Sequence, residues 1–226
     1  MTADLLRSYS AASLRNADEL LVEASLLRDH GHMARAYFLA IACIEEAGKA
    51  LLCFDSQSRN LADPAINTKL KANTENHGHK INYALSIWAF FSPDPRGALE
   101  VALKLIPHLK RGREPAMYSD LRSNPDRAQT PSEDVRTKAA HDCVRLAKDC
   151  LANAHRHVGE ETPVQFTSAQ GRMFTMKSAK FQGILNTEDF WWYYISHMEA
   201  GQQDIAEAVL GYERDHLKTG ALFRQT

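Results

Sequence analysis

From Leu5 to His30 the apolar positions Leu6, Leu14, Ala17, Leu21, Ala24 and Leu27 recur at helical spacing, and Gly31 follows as a natural stop. The pattern predicts a first helix with one buried stripe. The next stretch, His32 to Ser58, predicts a helix of another kind, because Tyr37, Phe38, Ile41, Cys43, Ile44, Leu51 and Phe54 leave hardly any polar face. A helix that is apolar on every side is packed on every side, so this one belongs at the centre. Residues 61–76 are polar, contain Pro64 and read as a loop with room for a short helix. A third helix fits His79 to Phe91, closed by Ser92-Pro93-Asp94-Pro95, and a fourth fits Arg96 to Lys110, with Pro107 bending or ending it. After Gly112 comes a polar tract, Ser119 to Thr130, with a turn signal at Asn124-Pro125. Pro131 with Glu133 and Asp134 then opens a fifth helix reaching about His157.

Beyond Gly159 the texture changes. Val164 to Thr167 and Arg172 to Met176 alternate apolar and polar around Gln170-Gly171, the pattern of a small β-hairpin. One long helix from about Thr187 to Leu217 is expected after it, carrying the aromatic run Phe190-Trp191-Trp192-Tyr193-Tyr194. That run could pack on the bundle, on a second subunit or on a partner. The expected fold is therefore mainly α: a helical bundle over residues 1–158, and a C-terminal extension over 159–226 made of a short hairpin plus a helix.

Composition adds limits rather than detail. With 226 residues, 44% of them apolar and 24% charged, the chain can bury a proper core. A net charge of −1 argues against a protein that coats nucleic acid, but leaves room for a local basic patch. The four cysteines form no C-x-x-C pair, and Cys143 and Cys150 share a helix face as small core residues. The opening residues MTADLLRSYS show no basic segment leading into an apolar one. The longest uncharged apolar run, Ala36 to Ile44, is far short of the ~20 residues that span a bilayer. A cytoplasmic protein with reduced thiols and no membrane partner is expected.

Three segments could carry chemistry. In Ile44-Glu45-Glu46-Ala47-Gly48-Lys49, two carboxylates and an ammonium lie inside the all-apolar helix, where an unpaired charge is costly, so Lys49 is expected to pair with Glu45 or Glu46. The cluster either supports a site or is a salt bridge that serves the fold alone. Gly48 in mid-helix suggests close approach of another element. In His77-Gly78-His79-Lys80, the residues His79 and Lys80 are candidate acid–base groups, or simply a polar helix start. In Lys110-Arg111-Gly112-Arg113-Glu114, followed by Met117-Tyr118-Ser119-Asp120, a basic turn precedes a tyrosine that could stack on a base. Its alternative is a solvated helix end. No P-loop, no G-x-G-x-x-G after a strand, no H-E-x-x-H and no G-x-S-x-G is present, so neither a metal nor a cofactor is expected.

In order along the chain, these segments resemble the AbiV family of bacterial abortive-infection proteins, a branch of the HEPN superfamily. The matching pieces are Asn16-Ala17 with Leu20-Leu21, Ala34 to Tyr37 running into Ile44 to Lys49, His79-Lys80, Arg113-Glu114 with Met117 to Asp120, and the helix from Ala139 to Leu151. The resemblance covers about residues 10 to 155. It implies a HEPN-like helical bundle that commonly dimerises and that halts growth of phage-infected cells by blocking translation, with a phage-encoded activator as a candidate partner. Many HEPN proteins are ribonucleases that need no metal and use Arg-x(4–6)-His. Arg113 matches that arginine, while Tyr118 stands where the histidine would fall. A phenol of pKa near ~10 is a poor base at neutral pH. A literal Arg-x4-His, Arg136 to His141, lies inside the fifth helix, where residues five apart diverge by about 140°.

The site residues expected from resemblance and chemistry together are Arg113, Tyr118, Asp120, His79 and Lys80 for catalysis. Glu45, Glu46 and Lys49 would support them, and Lys110 and Arg111 would bind RNA. The competing expectation, favoured by Tyr118, is a non-catalytic helical protein that senses or inhibits through a protein partner.

Overall fold

The computed structural model describes residues 1–121, 128–202 and 204–223; the turn expected at Asn124-Pro125 lies outside them. Among the described residues the chain is mainly helical and has no strand, the nearest to one being an isolated bridge between Asp120 and Gln129. It divides into two compact units, residues 1–57 with 70–164, and residues 58–69 with those from 165 on. No helix among the described residues is long and apolar enough to cross a membrane.

In the first unit α1 (Ala3–Asp29) starts on a Thr2 cap and turns into α2 (Met33–Asp55) through Gly31, whose φ of 82° strains any residue with a Cβ. The Ser10 hydroxyl donates to the Ala50 carbonyl at 2.8 Å and ties the two helices together. α2 is central, packed by α1, by α4 (His77–Phe90) and by α7 (Thr137–Glu160), and α5 (Pro95–Gly112) packs on α4. α3 (Pro64–Glu75), whose residues 64–69 count with the second unit and 70–75 with the first, precedes α4 where a loop was the main expectation. The core mixes small and branched side chains: Ala17, Ile41, Ile44, Ala47, Leu51, Ile81, Leu85, Val144, Ala147 and Leu151. Small residues let helices approach closely, which is how α2 comes to be covered on three sides. One buried polar knot joins three helices: Asp55 accepts from the Tyr83 hydroxyl at 2.5 Å and from His157 Nε2 at 2.8 Å.

Two boundaries in this unit differ from expectation. Pro107 does not end α5, which continues to Gly112; the proline has no N–H to give the Leu103 carbonyl, and both residues lie on the exposed face of the helix. The fifth helix is broken at Val135 into α6 (Pro131–Asp134), opened by a Thr130/Glu133 capping box, and α7.

The second unit corrects both elements expected of the extension. No β-hairpin forms. Residues 168–175 are α8 (Ser168–Thr175), followed by α9 (Ser178–Leu185). The reason is local: the Thr167 hydroxyl accepts from the Gln170 N–H at 3.2 Å while Gln170 Oε1 accepts from the Thr167 N–H at 3.0 Å, a capping box that outweighs a five-residue alternation. The single long helix is also not seen. α10 (Glu188–Glu199) is followed by a turn holding Gly201 at φ 82°, and α11 (Ile205–Tyr212) restarts on Asp204, whose carboxylate accepts from the Ala206 N–H. A π-helical turn, Glu213–Leu217, follows α11. Phe190 and Tyr193 from the aromatic run are buried within this unit, against Ile184, Val209 and Tyr212, while Trp191 and Trp192 stay partly exposed. The Arg59 guanidinium is stacked on two rings of the same unit, 3.6 Å from the Phe166 centroid and 4.0 Å from that of Phe174.

Candidate functional site

Helix α2 carries Glu45 among Ile44, Ala47 and Gly48, so its carboxylate is buried, with 5% of the side chain exposed. Burial of a lone carboxylate is prohibitive, and the structure answers with a lysine, an arginine and a histidine around it. Oε2 accepts from His77 Nδ1 at 2.6 Å and lies 3.2 Å from Lys80 Nζ. Oε1 lies 3.2 Å from Arg113 Nε, an ion-pair contact without hydrogen-bond alignment. One negative charge thus faces a buried ammonium, a guanidinium that is 28% exposed and an imidazole that is 54% exposed.

Glycines and helix spacing put the three there. His77 and Lys80 are i,i+3 on α4 and share a face. The close approach expected at Gly48 is made by the α4 backbone: a Cβ built on Gly48 would lie 2.0 Å from the Lys80 carbonyl oxygen and 2.7 Å from its carbon. Both are backbone atoms, so relief requires α4 itself to move. Gly48→Ala is therefore expected to destabilise by about 1–3 kcal/mol despite alanine's better helix propensity, since overpacking outweighs the ~1 kcal/mol propensity gain. Chemical denaturation measures this, and a variant as stable as wild type would show that α4 can withdraw freely.

At the end of α5 a Cβ on Gly112 would lie 2.7 Å from the Tyr37 hydroxyl, so that glycine lets the helix end sit on α2. Arg113 then lies over Phe38, 5.3 Å from the ring centroid, and Arg35 donates to the Met117 carbonyl at 3.0 Å, fastening the segment after α5. Burial pushes the Tyr37 hydroxyl up to about 12, so it stays protonated. Gly78 leaves room for Lys110, whose Cε and Nζ would be 3.0 and 3.2 Å from a Cβ there. The Lys110 side chain accordingly lies against the first turn of α4 at Gly78.

The residues singled out in the sequence separate into two sets. Glu45, Lys80 and Arg113 converge, while Lys110 lies against Gly78 at the start of α4. Glu46 and Lys49 form their own pair at 2.5 Å, with Lys49 5.4 Å from the Tyr9 ring centroid, because consecutive helix residues point about 100° apart. Arg111 folds back, its Nε donating to the Pro107 carbonyl at 3.1 Å. Tyr118 is 63% exposed. Asp120 exchanges backbone hydrogen bonds with Gln129, and its carboxylate accepts from the Leu121 N–H at 2.7 Å. His79 is exposed, and its N–H satisfies the Asn76 cap of α4 at 3.0 Å. His77, not His79, reaches the carboxylate. No group of three or more His, Cys, Asp and Glu side chains among the described residues could hold a metal ion.

The central helix of the bundle thus buries one carboxylate beneath a lysine, an arginine and a histidine, the last two partly open to solvent. The family model for AbiV, a HEPN family, matches residues 5–152, and the chain belongs to that family. The matched span contains every member of the Glu45 cluster. No curated protein and no solved structure matches the chain.

Proposed function

We propose that this AbiV-family chain is a phage-defence effector of the abortive-infection type that acts on RNA or the translation machinery, with the Glu45 cluster as its phosphate-binding site. The observation that carries the reading is the charge imbalance: two permanent cations and an imidazole share a single carboxylate, on a chain whose net charge is −1. Lys80 is buried and its role is to hold Glu45. Arg113 is half-open, and its outer guanidinium nitrogens can take a phosphate in bidentate fashion, which lysine cannot match. Exposed Tyr118 suits stacking on a nucleobase better than moving a proton. The exposed aliphatic side chains Leu5, Val22 and Leu26 on α1 fit the expected homodimer, which would place two such sites in one assembly. Light scattering that gives a monomer mass at micromolar concentration would remove the dimer from this account.

The test is Arg113→Ala and Arg113→Lys in phage-challenged cells at matched protein levels. Growth arrest is expected to disappear in the first and to be strongly reduced in the second, with the thermal midpoint little changed. Full protection by Arg113→Ala would instead favour the second reading, a non-catalytic protein that works through a protein partner. The observation on that side is Tyr118 in the place of the family's histidine.

A further inference from the structure

Residues from 165 on lie outside the span that the family model matches, and the charges of the second unit are unevenly placed. By sequence this unit has eight Lys and Arg against eight Asp and Glu, and so no net charge. Among the described residues, five of those cations and two of those acids, Glu207 and Glu213, line one cavity of about 800 Å³. We infer that this cavity is a binding site for a small oligophosphate, an anion of two or more linked phosphoryl groups. The inference is independent of the Glu45 cluster and of the RNA reading.

Each helix of the extension contributes to the lining. Arg172 comes from α8, and Lys177 and Lys180, which are i,i+3, come from the start of α9. Tyr193 and His197 are i,i+4 on α10, and their ring centroids are 4.3 Å apart. Arg214 and Lys218 come from the π-helical turn after α11 and its end, where the Lys218 N–H donates to the Glu213 carbonyl at 3.1 Å. Single π turns of this kind are frequent at functional sites.

Part of this charge serves the fold. Glu213 pairs with Lys180 and lies 3.8 Å from Lys218, and Asp215 takes Arg214 through two contacts of 2.6 Å. Arg172 and Lys177 have no such task, for among the described residues neither side chain has an ion-pair or hydrogen-bond partner. The second observation is Tyr193. It is 6% exposed, it lines the cavity, and its hydroxyl has no hydrogen-bond partner among the described residues. A Cβ on Gly211 would lie 2.5 Å from that hydroxyl, so the glycine is what lets the ring sit there. Burial, with Asp215 adding to it, raises the hydroxyl above the ordinary tyrosine range, so at neutral pH it is a donor. A buried phenol ordinarily has an acceptor, and an anion in this cavity supplies one.

Charge and size decide the class of anion. A single phosphate group has three free oxygens and about two negative charges, which five cations on three helices and a turn exceed. A chain of linked phosphoryl groups spreads its charge over the same span. Arg172 can grip one group with two parallel hydrogen bonds, while the lysines act as point charges along the chain. The volume lies in the range of roughly 300–1,000 Å³ usual for small-molecule sites.

The experiment titrates the full chain by calorimetry at physiological ionic strength without added metal. The probes are inorganic tripolyphosphate, orthophosphate and ATP. Wild type and a Lys138→Ala control, changed at the exposed start of α7, are expected to bind tripolyphosphate at one site and orthophosphate at least about tenfold more weakly, since each charge-assisted hydrogen bond lost is worth about that much. Arg172→Ala with Lys177→Ala is expected to weaken tripolyphosphate binding by about 100-fold for the same reason. Tyr193→Phe is expected to weaken it by about tenfold, with an unchanged thermal midpoint. That variant removes no charge, so attraction to a basic surface alone would leave its affinity intact. ATP separates the two sources of such a chain: binding equal to or tighter than tripolyphosphate assigns a chain borne on an organic carrier, and weaker binding assigns a free inorganic one. Either result upholds the site. It is overturned if wild type shows no binding of tripolyphosphate or ATP up to about 1 mM, or if Tyr193→Phe binds like wild type. Displacement of tripolyphosphate by an RNA oligomer without terminal phosphates would also overturn it, by making the cavity part of an RNA surface.

Discussion

Glu45→Ala is expected to cost the first unit about 3–5 kcal/mol, the usual penalty for leaving the partner of a buried ion pair alone. Lys80 is that partner: its side chain is 7% exposed, and its Nζ has Glu45 Oε2 at 3.2 Å. Arg113 and His77 are less enclosed and can turn to water, so the loss falls mainly on Lys80. Replacing both members by apolar residues of similar size removes the stranded charge. Glu45→Leu with Lys80→Met should therefore recover most of the stability lost in Glu45→Ala, while leaving the phosphate site without its centre. Urea midpoints of the three proteins measure this. A loss under about 0.5 kcal/mol for Glu45→Ala would mean that water reaches Lys80 freely. Lys49→Met should cost less than Glu45→Ala, because the Glu46–Lys49 pair is closer to solvent, with side chains 15% and 14% exposed.

Alkaline pH should unfold the protein over a narrow interval. Burial pushes the Cys43 and Cys53 thiols up to about 12 and those of Cys143 and Cys150 well above the ordinary thiol range. In the unfolded chain the same thiols ionise near ~8.5. Above that pH the unfolded state gives up protons that the native state retains, so stability falls as pH rises. The contribution is complete below the unfolded value and is lost progressively toward about 12 for Cys43 and Cys53. Each thiol costs about 1.4 kcal/mol per pH unit in this window, and four acting together cost on the order of 5. That is comparable to the whole stability of many domains, roughly 5–15 kcal/mol. Thermal melts should be steady from pH 7 to 8 and drop steeply between 9 and 11, with Tyr37 adding to the slope above about 10. Cys150→Ala should flatten the slope by about one quarter, as one thiol of four. A melting temperature that stays constant to pH 10.5 would contradict this.

The parts of the fold legible in the sequence are those set by long periodic patterns. α1 and α2 announce themselves over more than twenty residues each, and Gly48 inside an apolar helix pointed to a close approach. The helix through Pro107 was harder to read, because whether a proline ends a helix depends on whether water can reach the carbonyl four residues earlier. The extension misled because Val164 to Met176 holds too few residues for period to decide between strand and helix, whereas the Thr167–Gln170 cap decides at once. Of the site, Glu45, Lys80, Lys110 and Arg113 could be named from charge and motif. That His77 rather than His79 meets Glu45 could not, since the contact joins positions 32 residues apart and depends on the rotation of α4 about its axis. Lys49 had two acids within reach in sequence, and only the packing of α1 against α2 settles that it takes Glu46.

The stacking of Arg59 on Phe166 and Phe174 bears on the order in which the molecule is made. Segment 58–69 leaves the ribosome before most of α4, α5 and α7, yet the unit it belongs to needs residues from 165 on. Domains fold as their last residues emerge. The first unit can therefore close while Arg59 and Ile66 are still without the rings and the α8 backbone they later cover. During that interval an apolar and cationic stretch is held out from a finished bundle. A nascent chain has a built-in waiting stage, and its length is set by the translation of about ten residues, from the end of the first unit at 164 to the rings at 166 and 174, about 0.5–2 s at ordinary synthesis rates.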